Sequence, residues 1–128
     1  MDLIIRGVCC LKPGIKGISD NIHVRSIVGR FLEHTRVYYF ENNGEAEVWA
    51  SSADLMKRNL LRRVETCFPI DSKRLKQRVI DDLQCYLADN SQAWILSDDG
   101  RYQRVSRAEE AEVLSAQCQL LESMAKTF

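Results

Sequence analysis

A histidine and an arginine lie two positions apart, at His34 and Arg36, just ahead of an apolar run. An imidazole can act as a nucleophile toward phosphorus or as a general acid for a leaving oxygen. A guanidinium forks onto two phosphate oxygens and stays charged at every working pH. The pair therefore indicates chemistry on a phosphate group, although a lone His-x-Arg is more often a solvated surface pair.

The residues that follow this pair favour the phosphate interpretation. Glu41 comes after four further residues, and Ser51, Ser52 and Asp54 close the next apolar run. Hydroxyl groups at the end of that run could donate hydrogen bonds to the same oxyanion. The order of types, rather than any one residue, is what points to a site.

A β-hairpin is predicted to position these residues. Two apolar runs, Val37–Phe40 and Val48–Ala50, flank Asn42-Asn43-Gly44, and Asn-Gly between such runs is a strong hairpin signal. Side chains alternate between the faces of a strand, so His34 and Arg36 are expected to point the same way.

The order resembles the His-x-Lys, four residues, Asp, Gly-Ser-x-Asn signature of the phospholipase D fold. Here Arg36 replaces Lys, Glu41 replaces Asp, Ser51 replaces Gly and Asp54 replaces Asn. These departures and the flanking phrases are similar to one branch of that superfamily, the polyphosphate kinases. The matching phrases are Ile5–Gly14, Ser19–His34, Val37–Gly44, Ser51–Leu60 and Arg62–Ile70.

The resemblance implies a kinase that reversibly moves the terminal phosphate of ATP to inorganic polyphosphate through a phosphohistidine. In that family the phosphorylated histidine lies in the preceding domain. His34 matches the second His-x-Arg copy, which implies acid/base work and phosphate contact. Mg²⁺ is implied as cofactor, with ligands that the sequence does not place, and ATP, ADP, polyphosphate and the preceding domains are implied as partners.

Three further arginines are candidate phosphate-binding residues. Arg6 is the one basic residue in 2–9, which reads as a strand buried on both faces, so it needs a ligand or an acid. The resemblance places the matching arginine at the nucleotide phosphates. Arg58 and Arg62 are expected to line a polyphosphate tunnel, with ordinary surface charge as the alternative.

The predicted fold is an α/β domain with a mixed β-sheet flanked by helices, like one half of a phospholipase D-type fold. Predicted strands at 22–28, 62–70, 93–96 and 102–105 join the hairpin and the parallel strand at 2–9. A helix is predicted over 73–88. Another, predicted to start with a capping box of Ser106 and Glu109, is expected to run to Ala125.

Composition limits the classes of partner and compartment. The chain carries 18 basic and 18 acidic residues, so bulk charge favours no nucleic acid partner. Five cysteines without Cys-x-x-Cys spacing predict buried thiols in a reducing cytoplasm. No run reaches the roughly 20 apolar residues that span a bilayer, although membrane association of a full-length protein stays open.

Residues 1–128 are expected to be one C-terminal catalytic subdomain, cut at its N-terminal side, because a parallel strand at residue 2 lacks a preceding strand and crossover. Such a piece is expected to be nearly inactive alone. A phospholipase D-like phosphodiester hydrolase and a non-catalytic anion-binding or oligomerisation module remain alternatives, and a homo-oligomer stays open.

Overall fold

In the computed structural model, which describes residues 1–126, the strands form two separate sheets. One compact unit combines Met1–Glu33 with the chain from Gln84 onward, and the other is His34–Leu83. The strands are β1 (Asp2–Ile4), β2 (His23–Ile27), β3 (Val37–Phe40), β4 (Glu47–Ser51), β5 (Cys67–Pro69), β6 (Ala93–Leu96) and β7 (Tyr102–Arg104), and the α-helices are α1 (Lys57–Arg62), α2 (Lys73–Ala88) and α3 (Ala116–Ala125).

The first unit contains a mixed sheet in the order β1-β2-β6-β7. Its first pair is parallel, and its other pairs are antiparallel. A small apolar core of Ile27, Tyr86, Ala93 and Ala116 brings β2 and β6 together with the end of α2 and the start of α3. The predicted mixed α/β class and the parallel first strand are therefore confirmed.

The second unit contains the antiparallel sheet β3-β4-β5. The predicted hairpin is confirmed, with Val37 opposite Ala50 and Phe40 opposite Glu47. A 3-10 turn over Asn42–Gly44 connects the strands, and Asn42 and Asn43 have φ of 45° and 54°. Asparagine tolerates this left-handed region better than most residues, so the turn needs this sequence.

The strands are shorter than predicted in two places that matter for the candidate residues. β1 ends at Ile4, and Arg6 lies beyond it with an exposed side chain. The argument that Arg6 is a costly charge in a buried strand was therefore wrong. Arg62 ends α1 rather than starting a strand, and β5 begins only at Cys67.

The last helix begins nine residues later than predicted, and Ser106 and Glu109 form no capping box. Asn90 explains the difference. Its side chain accepts a hydrogen bond from the Leu114 N–H and donates one to the Glu112 carbonyl. The backbone groups that a longer helix would use are thus bound to Asn90, and Ser115 caps α3 instead.

The cysteines are less buried than predicted, because Cys10, Cys67 and Cys118 are exposed. All five are free thiols. Within residues 1–126, no helix combines the length and the apolar character that crossing a bilayer requires.

Candidate functional site

The segment that carries His34 and Arg36 is irregular, because β3 begins only at Val37. The expectation that strand alternation aligns the two side chains therefore does not apply. A direct contact joins the two residues instead: Arg36 Nη1 donates to the backbone carbonyl of His34 at 3.1 Å. The His34 side chain is exposed, and Arg36 is partly buried.

Arg36 is anchored by a residue 18 positions further along the chain. Its Nε donates to Asp54 Oδ1 at 2.7 Å. The other carboxylate oxygen, Oδ2, lies 3.9 Å from Nη2 of Arg58. Arg58 lies in the first turn of α1. The structure therefore brings three of the predicted residues, His34, Arg36 and Arg58, into one connected group around Asp54.

This group keeps Asp54 ionised. The hydrogen bond from Arg36 lowers the pKa of Asp54 below its ordinary value of 3.8, against the opposing effect of partial burial, and the positive charges of Arg36 and Arg58 lower it further. An ionised carboxylate between two guanidinium groups partly neutralises a locally cationic surface. The remaining N–H groups of both arginines can still meet an anion.

Ser52, directly after β4, has a different role from the one predicted. The Ser52 hydroxyl donates to Glu65 Oε2 and accepts from the Thr66 N–H at 3.0 Å. Its proton is therefore committed to Glu65, and Ser52 is not a free donor for an oxyanion. Ser51 Oγ accepts from the Ala53 N–H at 3.0 Å, which leaves its own hydroxyl proton for another acceptor.

Glu65 is the residue that sequence reasoning missed. It also accepts from Asn59 Nδ2 at 2.8 Å. The hydrogen bonds from Ser52 and Asn59, in that order, lower the pKa of Glu65 below its ordinary value of 4.5. The one signal in the sequence was that Glu65 lies in the matching phrase Arg62–Ile70. Its contact with Ser52 depends on the fold and could not be predicted from that phrase.

An open cavity of about 380 Å³ lies beside the hydrogen-bond network of Ser52, Asn59 and Glu65. Buried Asn59, whose Oδ1 has no hydrogen-bond partner within the described residues, contributes to its wall. Arg63 adds a positive charge, so the cavity combines a cation with hydroxyl and amide groups. The lining residues are Tyr38, Ser51, Ala53, Asn59, Leu60, Arg63, Glu65, Thr66 and Cys67.

Two predicted residues stay outside these contacts. Arg62 is exposed in the last turn of α1 and makes no ion pair within residues 1–126. Arg6 belongs to the first unit and is exposed there. Their roles at a polyphosphate path and at the nucleotide phosphates stay predictions.

Within residues 1–126, the donor groups do not form a magnesium site held by protein side chains alone. No group of three or more histidine, cysteine, aspartate or glutamate side chains comes together in the described part of the chain. The carboxylates nearest the candidate site are committed, Asp54 to two arginines and Glu65 to Ser52 and Asn59. We assign no metal ligand to this chain.

The chain is similar to known proteins over nearly its whole length. A family model described as polyphosphate kinase C-terminal domain 2 matches residues 1–117. The polyphosphate kinase of Pseudomonas aeruginosa is 57% identical over 125 residues, which cover 98% of this chain and 18% of that protein. That of Burkholderia vietnamiensis is 60% identical over 105 residues, covering 81% of this chain and 15% of that protein.

The fold is also similar to a solved structure. The crystal structure of the polyphosphate kinase from Porphyromonas gingivalis matches with a TM-score of 0.89 and 37% identity, over 99% of this chain and 20% of that one. The chain thus spans about a fifth or less of the length of the proteins that it matches.

Proposed function

Because the chain belongs to the polyphosphate kinase family, we propose that it forms part of the phosphate-binding site of an ATP:polyphosphate phosphotransferase. The reaction is the reversible transfer of the terminal phosphate of ATP to inorganic polyphosphate. The phosphate passes through a phosphohistidine on the preceding domain of the same polypeptide. ATP, ADP and polyphosphate are the ligands of the site.

The roles follow from the chemistry of each side chain. His34 contacts a phosphate oxygen and moves a proton to or from it, since an imidazole can act as a general acid or base. Arg36 donates N–H groups to the phosphate and offsets its charge. Arg6 is assigned to the nucleotide phosphates. Arg58 and Arg62 are assigned to the path of the polyphosphate chain.

One observation carries this proposal: the guanidinium of Arg36 is held at 2.7 Å by Asp54 while it contacts the His34 backbone at 3.1 Å. Phosphoryl transfer depends mainly on positioning and charge stabilisation, with little covalent chemistry left to the protein. A fixed cation, bound to the backbone of the residue that carries an exposed imidazole, can contribute to both. The pairing of Arg36 with Asp54, in place of the Lys and Asn of the phospholipase D signature, also favours the kinase over the hydrolase.

The proposal is tested by incubating the full-length protein and the 128-residue chain separately with ATP labelled at its terminal phosphate and a polyphosphate primer. We expect the full-length protein to transfer label into polymer. The 128-residue chain should be slower by at least about 10²-fold, because the groups that position the phosphate come from more than one domain.

Label transfer by both proteins at equal rates would place the whole site within this chain and contradict the shared-site proposal. Cleavage of a phosphodiester by the full-length protein, with no label in polymer, would favour the hydrolase instead.

A further inference from the structure

The two departures from the phospholipase D signature that flank the hairpin are partners in one contact. Arg36 stands where that signature has lysine, and Asp54 stands where it has asparagine. The structure joins them through Nε and Oδ1 at 2.7 Å. A carboxylate opposite an arginine gives two charges that cancel, so the two side chains can act as one unit.

We propose that Asp54 is a positioning residue of the kinase site, which holds Arg36 and, through it, the His34 backbone in the arrangement that receives phosphate. This inference rests on the proposed function, because it assigns Asp54 a part in phosphate transfer. Asp54 itself does not touch the phosphate. It acts through the guanidinium of Arg36.

The geometry of the guanidinium makes this role specific. Arginine has five N–H groups in a planar fork. Within the described residues, Asp54 takes the Nε–H and the His34 carbonyl takes one Nη1–H. Two bonds on different nitrogens prevent the plane from rotating. The second Nη1–H and both Nη2–H groups stay available, and their directions are set before the phosphate arrives.

The burial of the pair adds to its rigidity. The side chains of Arg36 and Asp54 are only 29% and 34% exposed. A partly buried cation without a counter-charge is unfavourable, and Arg58 lies close enough to repel it. Asp54 contacts both arginines, so its negative charge keeps the two cations near each other. An asparagine would keep an acceptor for Arg36 but lose this charge.

The test uses four variants of the full-length kinase: Asp54→Ala, Asp54→Asn, Arg36→Lys, and the double variant Arg36→Lys/Asp54→Asn. Asp54→Ala should lower kcat by about 10-fold to 100-fold, as misplacement of a phosphate ligand does. Asp54→Asn should be affected less. The matched control is Asp81→Asn, an exposed carboxylate of the same unit that, within residues 1–126, accepts only from Gln77, and it should match the wild type.

The double variant tests whether Arg36 and Asp54 act together. If Arg36 and Asp54 act as one unit, the loss in the double variant is smaller than the product of the two single losses. Losses that multiply, or an Asp54→Ala variant with the kcat and KM of the control, would overturn the proposal. A wild-type protein that makes no polyphosphate would instead refute the proposed function.

Acid unfolding gives a readout that does not depend on the reaction. The folded pKa of Asp54 lies below its ordinary value of 3.8, so the ionised pair stabilises the fold above that pH and stops doing so as the pH falls through the lower folded value. The stability difference between wild type and Asp54→Asn should therefore be constant near neutral pH and shrink below about pH 4. A difference that persists unchanged in acid would contradict the contact.

Discussion

Replacing His34 with alanine in the full-length kinase is expected to lower the rate of polyphosphate synthesis from ATP by about 10²-fold to 10⁴-fold, the usual contribution of a positioned acid or base. The His34 side chain is exposed, and Arg36 binds the His34 backbone carbonyl. Arg6→Ala should lower the rate by a similar factor through loss of a charged phosphate contact. Label transferred from ATP into polymer measures both.

The matched control for His34 is His23→Ala, the other histidine of the chain. Its side chain is 70% exposed and contacts Asp2 at 3.3 Å on the edge of the mixed sheet. Synthesis by this variant should stay within a factor of two of the wild type. Full activity of His34→Ala, or an equal loss in both histidine variants, would remove His34 from the site.

The second large effect concerns stability and Asp89. This side chain is 2% exposed and accepts four backbone hydrogen bonds. Oδ1 takes the N–H groups of Ser91, Gln92 and Ala93, and Oδ2 takes that of Ala116. Asp89→Ala would leave these donors without partners, so the free energy of unfolding should fall by about 3–5 kcal/mol.

Urea denaturation of the chain measures this loss as a shift in the unfolding midpoint. Asp98→Ala, in the exposed turn between β6 and β7, is the control and should change stability by less than about 0.5 kcal/mol. Asp89→Asn should fall between the two, because an amide keeps one acceptor but presents an N–H to Ala116. An Asp89→Ala variant as stable as the control would show that the four hydrogen bonds to Asp89 do not stabilise the fold.

Local patterns were sufficient for the elements that local interactions determine. The helix over 73–88 was predicted at its observed bounds, because a long periodic apolar stripe decides it. The hairpin of β3 and β4 was predicted from its Asn-Gly turn. The bounds of α3 were wrong because side chains far back in the chain, at Asp89 and Asn90, bind the backbone near its start. No local propensity contains that information.

The candidate site shows the same difference between local patterns, which the sequence reveals, and contacts between residues far apart in the chain, which it does not. The types and spacing of His34 and Arg36 predicted a phosphate-directed pair, and the family resemblance implied its role. The anchor of Arg36 lies 18 residues away, and the acceptor of the Ser52 hydroxyl, Glu65, lies 13 residues away. Neither contact can be recognised without the folded sheet β3-β4-β5. The predicted role of Ser52 as a free donor was wrong because its hydroxyl donates to Glu65.

The most direct test of the central claim is a crystal structure of the full-length kinase bound to a non-hydrolysable ATP analogue. We expect phosphate oxygens within about 3.2 Å of a ring nitrogen of His34 and of the Arg36 guanidinium, with Arg36 still bound to Asp54. Phosphates bound with both side chains outside hydrogen-bond distance, and turned to bulk solvent, would contradict it.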